Sequence, residues 1–182
     1  MTPITPVAAS PFTTRRAALQ WAGLALASAG LAGCGFRLRG SQTFAFQRIA
    51  IGPQPGGAVA QELRRAFGSA VQVLAANEPL TRAQLVLTVA SEAREKVVVG
   101  VNSSGQVREL QLRMRVRLQV RTAQGKDIIE GDDIAQQRDI SYSESAALAK
   151  EAEEALLYRD MQSDIVQQIL RRLAAIQPGQ LD

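Results

Sequence analysis

The chain's one thiol is Cys34, within Leu31-Ala32-Gly33-Cys34-Gly35-Phe36. It closes a run of apolar and small residues, a setting that suits alkylation of the sulfur by a membrane lipid. A second chemistry is cationic. Arg113, Arg115 and Arg117 recur at every second position, and Arg94 and Lys96 repeat the same spacing upstream. An extended strand puts such a row on one face, where guanidinium and ammonium groups can pair with phosphates or carboxylates. Catalytic equipment is thin by contrast. There is no histidine, which removes the commonest general base and a leading zinc ligand. No metal-ligand cluster, glycine-rich phosphate loop or nucleophile–base pair stands in the sequence, and we expect no enzyme.

The segment before Cys34 explains the cysteine. Arg15-Arg16 supplies a positive region, and Ala17 to Ala32 is apolar except for Gln20 and Ser28. That run is short for a membrane span and suits the h-region of a signal peptide. Leu-Ala-Gly-Cys resembles the bacterial lipobox, in which a diacylglyceryl thioether forms on the cysteine, cleavage falls just before it, and the new amine is acylated. The other reading is a buried free cysteine after an apolar anchor. Arg15-Arg16 lacks the bulky follow-up of a twin-arginine signal, so Sec export is the simpler expectation. Two or more acyl chains, each buried methylene contributing about 0.8 kcal/mol, make an anchor that does not let go. Gly35 stands where an inner-membrane retention signal would place Asp, and the resemblance to sorted lipoproteins implies the outer membrane as the destination.

Two of the 21 basic side chains, Arg15 and Arg16, fall in the leader, so the remainder nearly balances the 17 acidic ones. Charge therefore matters only where it clusters, and no nucleic-acid partner is expected. Hydrophobic residues at 46% and charged residues at 21% suit a folded domain, and the chain after residue 33 is long enough for one core.

The elements that would position the cations follow from periodicity. Residues 44–51 read as a first strand, ended by Pro53, Pro55, Gly56 and Gly57. Ala58 to Phe67 fits a helix, with Val59, Leu63, Ala66 and Phe67 on one side and Gly68 as its cap. Residues 71–74 make a short strand. Gln84 to Val101 and Gln106 to Thr122 form a long hairpin around Asn102-Ser103-Ser104-Gly105. Its second arm alternates Leu110, Leu112, Met114, Val116, Leu118 and Val120 with Gln111, Arg113, Arg115, Arg117, Gln119 and Arg121. A regular ladder pairs Val97 with Leu110, Ala93 with Met114, Val89 with Leu118 and Leu87 with Val120. It then pairs Glu92 with Arg115, Arg94 with Arg113, Lys96 with Gln111 and Ala90 with Arg117, which puts all five cations on one face. That face is either a solvated surface or a site for an anionic partner.

Asp127 to Tyr142 reads as a last strand with a bulge at Gly131. Its acids lack EF-hand spacing and read as edge-strand polarity. Ser143 to Ala175 is a long helical pattern, with Ser141 and Glu144 as a capping box. Its apolar stripe runs through Leu148, Ala152, Ala155, Leu156, Ile165, Val166, Ile169, Leu170, Leu173 and Ile176. The fold class is α+β: a two-layer sandwich, with a mainly antiparallel four-stranded sheet and two helices, one short and one long and C-terminal, on one face. The expected organisation is a signal peptide over 1–33, a lipidated tether over 34–43, one domain over 44–176 and a short tail over 177–182.

Cys34-Gly35-Phe36-Arg37-Leu38-Arg39-Gly40 resembles the mature start of the LptE family of lipopolysaccharide-assembly lipoproteins, where Cys-Gly-aromatic-x-Leu-Arg is typical. Ala147-Leu148-Ala149-Lys150-Glu151-Ala152-Glu153, then Met161 and Ile169-Leu170-Arg171-Arg172-Leu173, resembles the family's last helix. The resemblance implies a non-enzymatic protein of the outer membrane's periplasmic face. Such a protein binds lipopolysaccharide, plugs the β-barrel LptD and helps insert lipopolysaccharide into the outer leaflet. It implies no cofactor beyond the diacylglycerol and N-acyl lipid on Cys34. Candidate lipopolysaccharide contacts are Arg94, Lys96, Arg113, Arg115 and Arg117, with Arg108 beside the hairpin turn. Lys150 is a further candidate, or else the partner of Glu153 or Glu154. The competing reading is an accessory lipoprotein of an envelope lipid or solute transport system.

Overall fold

The structure is a computed structural model and describes residues 42–181. Cys34, the leader and most of the expected tether lie outside the described residues. In chain order the elements are β1 (Arg48–Gly52), α1 (Ala58–Phe67), β2 (Gln72–Val73), β3 (Leu85–Val101), β4 (Val107–Thr122), β5 (Asp127–Ser141) and α2 (Ala147–Ala174).

The sheet order is β2-β1-β3-β4-β5, with β1 parallel to both neighbours and β3, β4 and β5 antiparallel. It has five strands rather than four. The addition is the two-residue β2, which α1 carries back to the outer edge of β1. The first strand begins at Arg48, not Phe44, because Phe44 and Phe46 are drawn onto Phe67 of α1. Their ring centroids stand 5.3 Å and 6.4 Å from that of Phe67.

Both helices cover one face, as their apolar spacing requires. Val59, Leu63 and Phe67 of α1 and Met161, Ile165, Val166, Ile169 and Leu173 of α2 bury against Ile49, Leu87, Leu112, Met114, Val116 and Leu118. The regular alternation of β4 survives intact: every second residue from Leu110 to Val120 is buried.

The hairpin's register differs from the regular ladder. Leu87 faces Val120 and Val89 faces Leu118, as expected, but the ladder then slips at Ala90. Ser91 faces Arg117, Glu92 faces Val116, Arg94 faces Met114, Lys96 faces Leu112 and Val98 faces Leu110. One extra residue in β3, a β-bulge, turns the side chains from Ser91 to Val98 to the face opposite the one the regular ladder gives them, before the register shifts again beyond Val98. Glu92, Arg94 and Lys96 therefore point toward the helices, while Ala93, Glu95 and Val97 join the open face. In β5 the expected bulge is present: the register shifts between Asp132 and Ile129, and Gly131 takes φ +55°, a conformation open to glycine.

Two expectations for the last helix are corrected. Ser141 ends β5, residues 144–146 form one 3-10 turn, and α2 starts at Ala147 with no side-chain cap. The capping box does not form because Ser141 is held in the strand, its hydroxyl 3.0 Å from Lys150 Nζ. The apolar stripe also ends early. Leu148 is 83% exposed and Leu156 55% exposed, because the sheet-facing line at this end of the helix runs through Glu154 and Tyr158. The remaining length still spans the sheet: 28 residues at 1.5 Å each make about 42 Å.

Candidate functional site

The bulge at Ala90 divides the cations between two faces. On the open face, away from the helices, β4 presents Arg113, Arg115 and Arg117 as the alternation predicts. Arg117 makes a two-pronged pair with Asp133 of β5, Nε to Oδ1 at 3.0 Å and Nη2 to Oδ2 at 2.9 Å. That hydrogen-bonded pair holds the Asp133 carboxyl below its ordinary range and raises Arg117. Arg113 donates instead to the neutral Gln111, Nε to Oε1 at 2.7 Å. Arg115 is flanked in the ladder by Ala93 on β3 and Ala135 on β5. A hollow of about 210 Å³ lies beside it, lined by Ala93, Glu95, Arg113, Ala135 and Gln137. Arg113 and Arg115 are thus the cations of this row without a hydrogen-bonded carboxylate, standing on a rigid three-strand platform.

Arg94 and Lys96 sit on the helix face and are engaged there. Arg94 Nη2 donates to Gln162 Oε1 at 3.0 Å, and its guanidinium lies 5.2 Å from the Tyr158 ring centroid. Gln162 Nε2 donates onward to Glu62 Oε2 of α1 at 2.6 Å, and the Tyr158 hydroxyl donates to the Glu95 carbonyl at 2.7 Å. Burial raises the Tyr158 phenol. Lys96 Nζ meets Glu154 Oε2 at 2.8 Å, and that hydrogen bond raises the ammonium. This chain of contacts replaces apolar packing where β3 and the first half of α2 meet. Tyr158→Phe is accordingly expected to lower unfolding free energy by about 1 kcal/mol. Urea denaturation should show Arg94→Ala and Tyr158→Phe combining less than additively, because the two side chains share one cluster.

Lys150 takes the ion-pair reading: Nζ lies 2.8 Å from Glu153 Oε2 and 3.0 Å from Ser141 Oγ. Arg108 sits below the hairpin turn, Nη2 to Gln106 Oε1 at 3.4 Å. The turn itself is organised by Asn102, whose Oδ1 accepts from the backbone N–H of Ser104 and of Gln106. No basic side chain stands at its tip.

One feature of the open face escaped the sequence reading. Toward β1 and β2 the same face carries an apolar hollow of about 590 Å³, floored by Ala50, Val86, Thr88 and Ala90 and walled by Leu74 and Leu80. Its signal was present in Leu85-Val86-Leu87-Thr88-Val89, a stretch apolar on both faces where one-sided burial would give alternation. Among the described residues no cluster of metal-binding side chains occurs, and no helix is long and apolar enough to cross a membrane.

The family model described as LptE, lipopolysaccharide-assembly, matches residues 43–173. The chain belongs to the LptE family. A solution structure of a lipoprotein B from Nitrosomonas europaea is 31% identical, with a TM-score of 0.66, over 78% of this chain and 91% of that one. A rare lipoprotein B from Shewanella oneidensis, at 20% identity and a TM-score of 0.60 over 71% of this chain and 95% of that one, shares the fold. So does a minor lipoprotein from Acinetobacter baumannii, at 23% identity and 0.55 over 71% and 92% respectively. No curated protein matches. As an LptE-family chain it is a lipoprotein of lipopolysaccharide assembly in the cell envelope, in a family without enzymatic activity. The family match takes in the whole of the sheet, and with it the arginine row.

Proposed function

We propose that this LptE domain binds lipopolysaccharide through the open face of its sheet and serves as the plug and assembly partner of the LptD barrel. The observation that carries the reading is the arginine row. Arg113 and Arg115 project from the central strand of an antiparallel platform; neither is hydrogen-bonded to a carboxylate, although Glu95 faces Arg113 across the ladder. Phosphates and acidic sugars of lipopolysaccharide are the anions such a row would pair with, by charge-assisted hydrogen bonds. Arg117 joins them by exchanging Asp133 for a stronger anion. Arg94, Lys96, Arg108 and Lys150, each with a partner inside the domain, contribute to the fold around that face.

The plug role is physically consistent with the remaining surface. Large outer-membrane barrels carry polar, plugged lumens, and the outer strand β5 alternates Asp133, Gln137 and Asp139 on the open face. In this reading Cys34 bears the diacylglycerol and N-acyl chains that hold the domain to the periplasmic face of the outer membrane.

Affinity purification of the tagged, full-length protein from detergent-solubilised envelopes tests this directly. The expected result is an equimolar complex with one large outer-membrane β-barrel, with lipopolysaccharide retained and an acylated Cys34 found by mass spectrometry. Recovery without a barrel, or together with an inner-membrane ATPase complex, would overturn it in favour of an accessory transport lipoprotein.

A further inference from the structure

The apolar hollow and the arginine row share one face, and their strands are hydrogen-bonded neighbours. Val86 and Thr88 floor the hollow and pair with Arg121 and Gln119 of β4, and Ser91, next to Ala90, pairs with Arg117. Paired positions on adjacent strands stand about 5 Å apart, so the apolar floor ends where the β4 cations begin: Arg121, held by Asp127 at 2.6 Å, and Arg117, held by Asp133, border it, and Arg115 and Arg113 follow along the strand. The floor is Ala50, Val86, Thr88 and Ala90, and the walls add Leu74 and the 57% exposed Leu80.

The volume, about 590 Å³, is that of a ligand pocket, but the lining lacks the converging polar groups that orient a polar small molecule. The carboxylate on its rim, Glu78, is already taken by Arg82 Nη1 at 2.6 Å. Nor can a peptide add to the floor strand as a further strand, since β3 is paired on both sides, by β1 and β4. A saturated chain needs only apolar volume, and a phosphate attached to it would reach the arginines.

Resting on the reading above, we propose that this hollow receives one acyl chain of the lipopolysaccharide whose phosphate pairs with the β4 arginines. The site is then amphipathic in the same sense as its ligand. The glycolipid lies across the β3–β4 seam, with its chain over β1 and β3 and its charge over β4. Pro53 and Gln54 line one end of the hollow, and their loop is held in shape by Arg64 of α1, which donates to the carbonyls of Ile51, Pro53 and Pro55.

The test uses the chain from residue 34 onward with Cys34→Ser, which carries no lipid and lacks Trp21, the sole tryptophan. Among the described residues the core and the side chains packed against it run from Phe44 to Leu181, all of which this chain keeps. Leu80→Trp then places a single fluorophore on the rim of the hollow. Lipid A with brominated acyl chains is expected to quench it saturably. Thr88→Asp, or Ala90→Asp at the unpaired bulge position should Thr88→Asp fail to fold, is expected to abolish the quenching. Either should weaken lipid A binding about tenfold, since the chain would have to enter beside a charge. Capture of lipopolysaccharide with no quenching, or quenching that both Asp substitutions leave intact, would overturn the acyl site and leave the binding function standing. Failure of the chain to capture lipopolysaccharide at all would overturn both.

Discussion

Charge reversal at the two open-face cations without a hydrogen-bonded carboxylate, Arg113→Glu with Arg115→Glu, is expected to weaken capture of lipopolysaccharide by at least about tenfold. The domain should keep its melting temperature to within a degree or two. Both parts follow from the same geometry. Neither side chain hydrogen-bonds to another element: Arg113 is tied to Gln111 of its own strand and faces Glu95 across the ladder, and Arg115 lies between alanines. Replacing them disturbs no buried contact; a carboxylate at position 113 would face Glu95 across the ladder, an exposed like-charge pair that costs only about a few tenths of a kcal/mol, while the phosphate loses its partners.

Asp133→Asn should act in the opposite direction. It removes the carboxylate that now occupies Arg117, leaves the ladder intact and raises affinity. Acid does the same without a mutation. The Arg117 pair depresses the Asp133 carboxyl in the fold. Any stabilisation from the pair is therefore present above the carboxyl's unfolded value and is lost as pH falls through the depressed folded one. Arg117 is released over that same interval, so the contribution of Arg117 to binding phosphate should grow as the solution is acidified. At 0.15 M salt, screening acts over about 8 Å, and the effect of the reversal should shrink as salt is raised. Surface-captured wild type and variants, titrated with lipopolysaccharide at two salt concentrations and at neutral and acid pH, measure these expectations. Equal affinity in wild type and the double reversal would remove the open face from lipopolysaccharide recognition.

Much of this platform is legible in the chain, and the part that is not has a definite cause. The short helix, the hairpin turn, the bulge at Gly131 and the buried side of β4 all follow from apolar spacing and turn chemistry, because each sets an apolar face against a polar one. The second half of β3 offers no such contrast. One of its sides reads Glu92, Arg94, Lys96, Val98 and the other Ala93, Glu95, Val97. A regular ladder that puts Ala93 and Val97 inside looks better by hydrophobicity alone. The helix decides otherwise. Over this half of the sheet α2 offers Gln162, Tyr158 and Glu154, which satisfy Arg94 and Lys96 and leave Ala93 to flank Arg115. The bulge that allows this carries an alanine, with neither glycine nor proline to mark it. Polar contacts between elements far apart in sequence are thus what set the register, and local pattern does not contain them. The same contacts place Arg94 and Lys96 on the helix side of the sheet, apart from the arginine row of β4.

The register has a consequence for stability that a mutant cycle can isolate. Glu92→Ala is expected to cost about 1–2 kcal/mol, which for a domain of this size lowers the melting temperature by several degrees. The reason lies in α1, not in the sheet. That helix begins at Ala58 with no acidic residue in its first turn and no side-chain cap of its own. Its free N–H groups are met from outside: Glu92 Oε2 accepts from the Val59 N–H at 3.3 Å, where a negative charge also complements the helix dipole. Gly57 makes room for that carboxylate. A Cβ at position 57 would stand 2.4–2.5 Å from the Glu92 carboxylate atoms, although φ −75° and ψ −172° suit any residue. Gly57→Ala alone should therefore destabilise by displacing the cap. In a Glu92→Ala background the obstacle is gone, and Gly57→Ala becomes neutral or slightly stabilising, by restricting the unfolded chain. The expected coupling is thus large and of one sign. In the unbulged ladder Glu92 would face Arg115 on the far side of the sheet, and the two substitutions would simply add. Urea titration of the four proteins separates the two arrangements, and additivity would mean that Glu92, Arg94 and Lys96 belong on the open face with the other arginines.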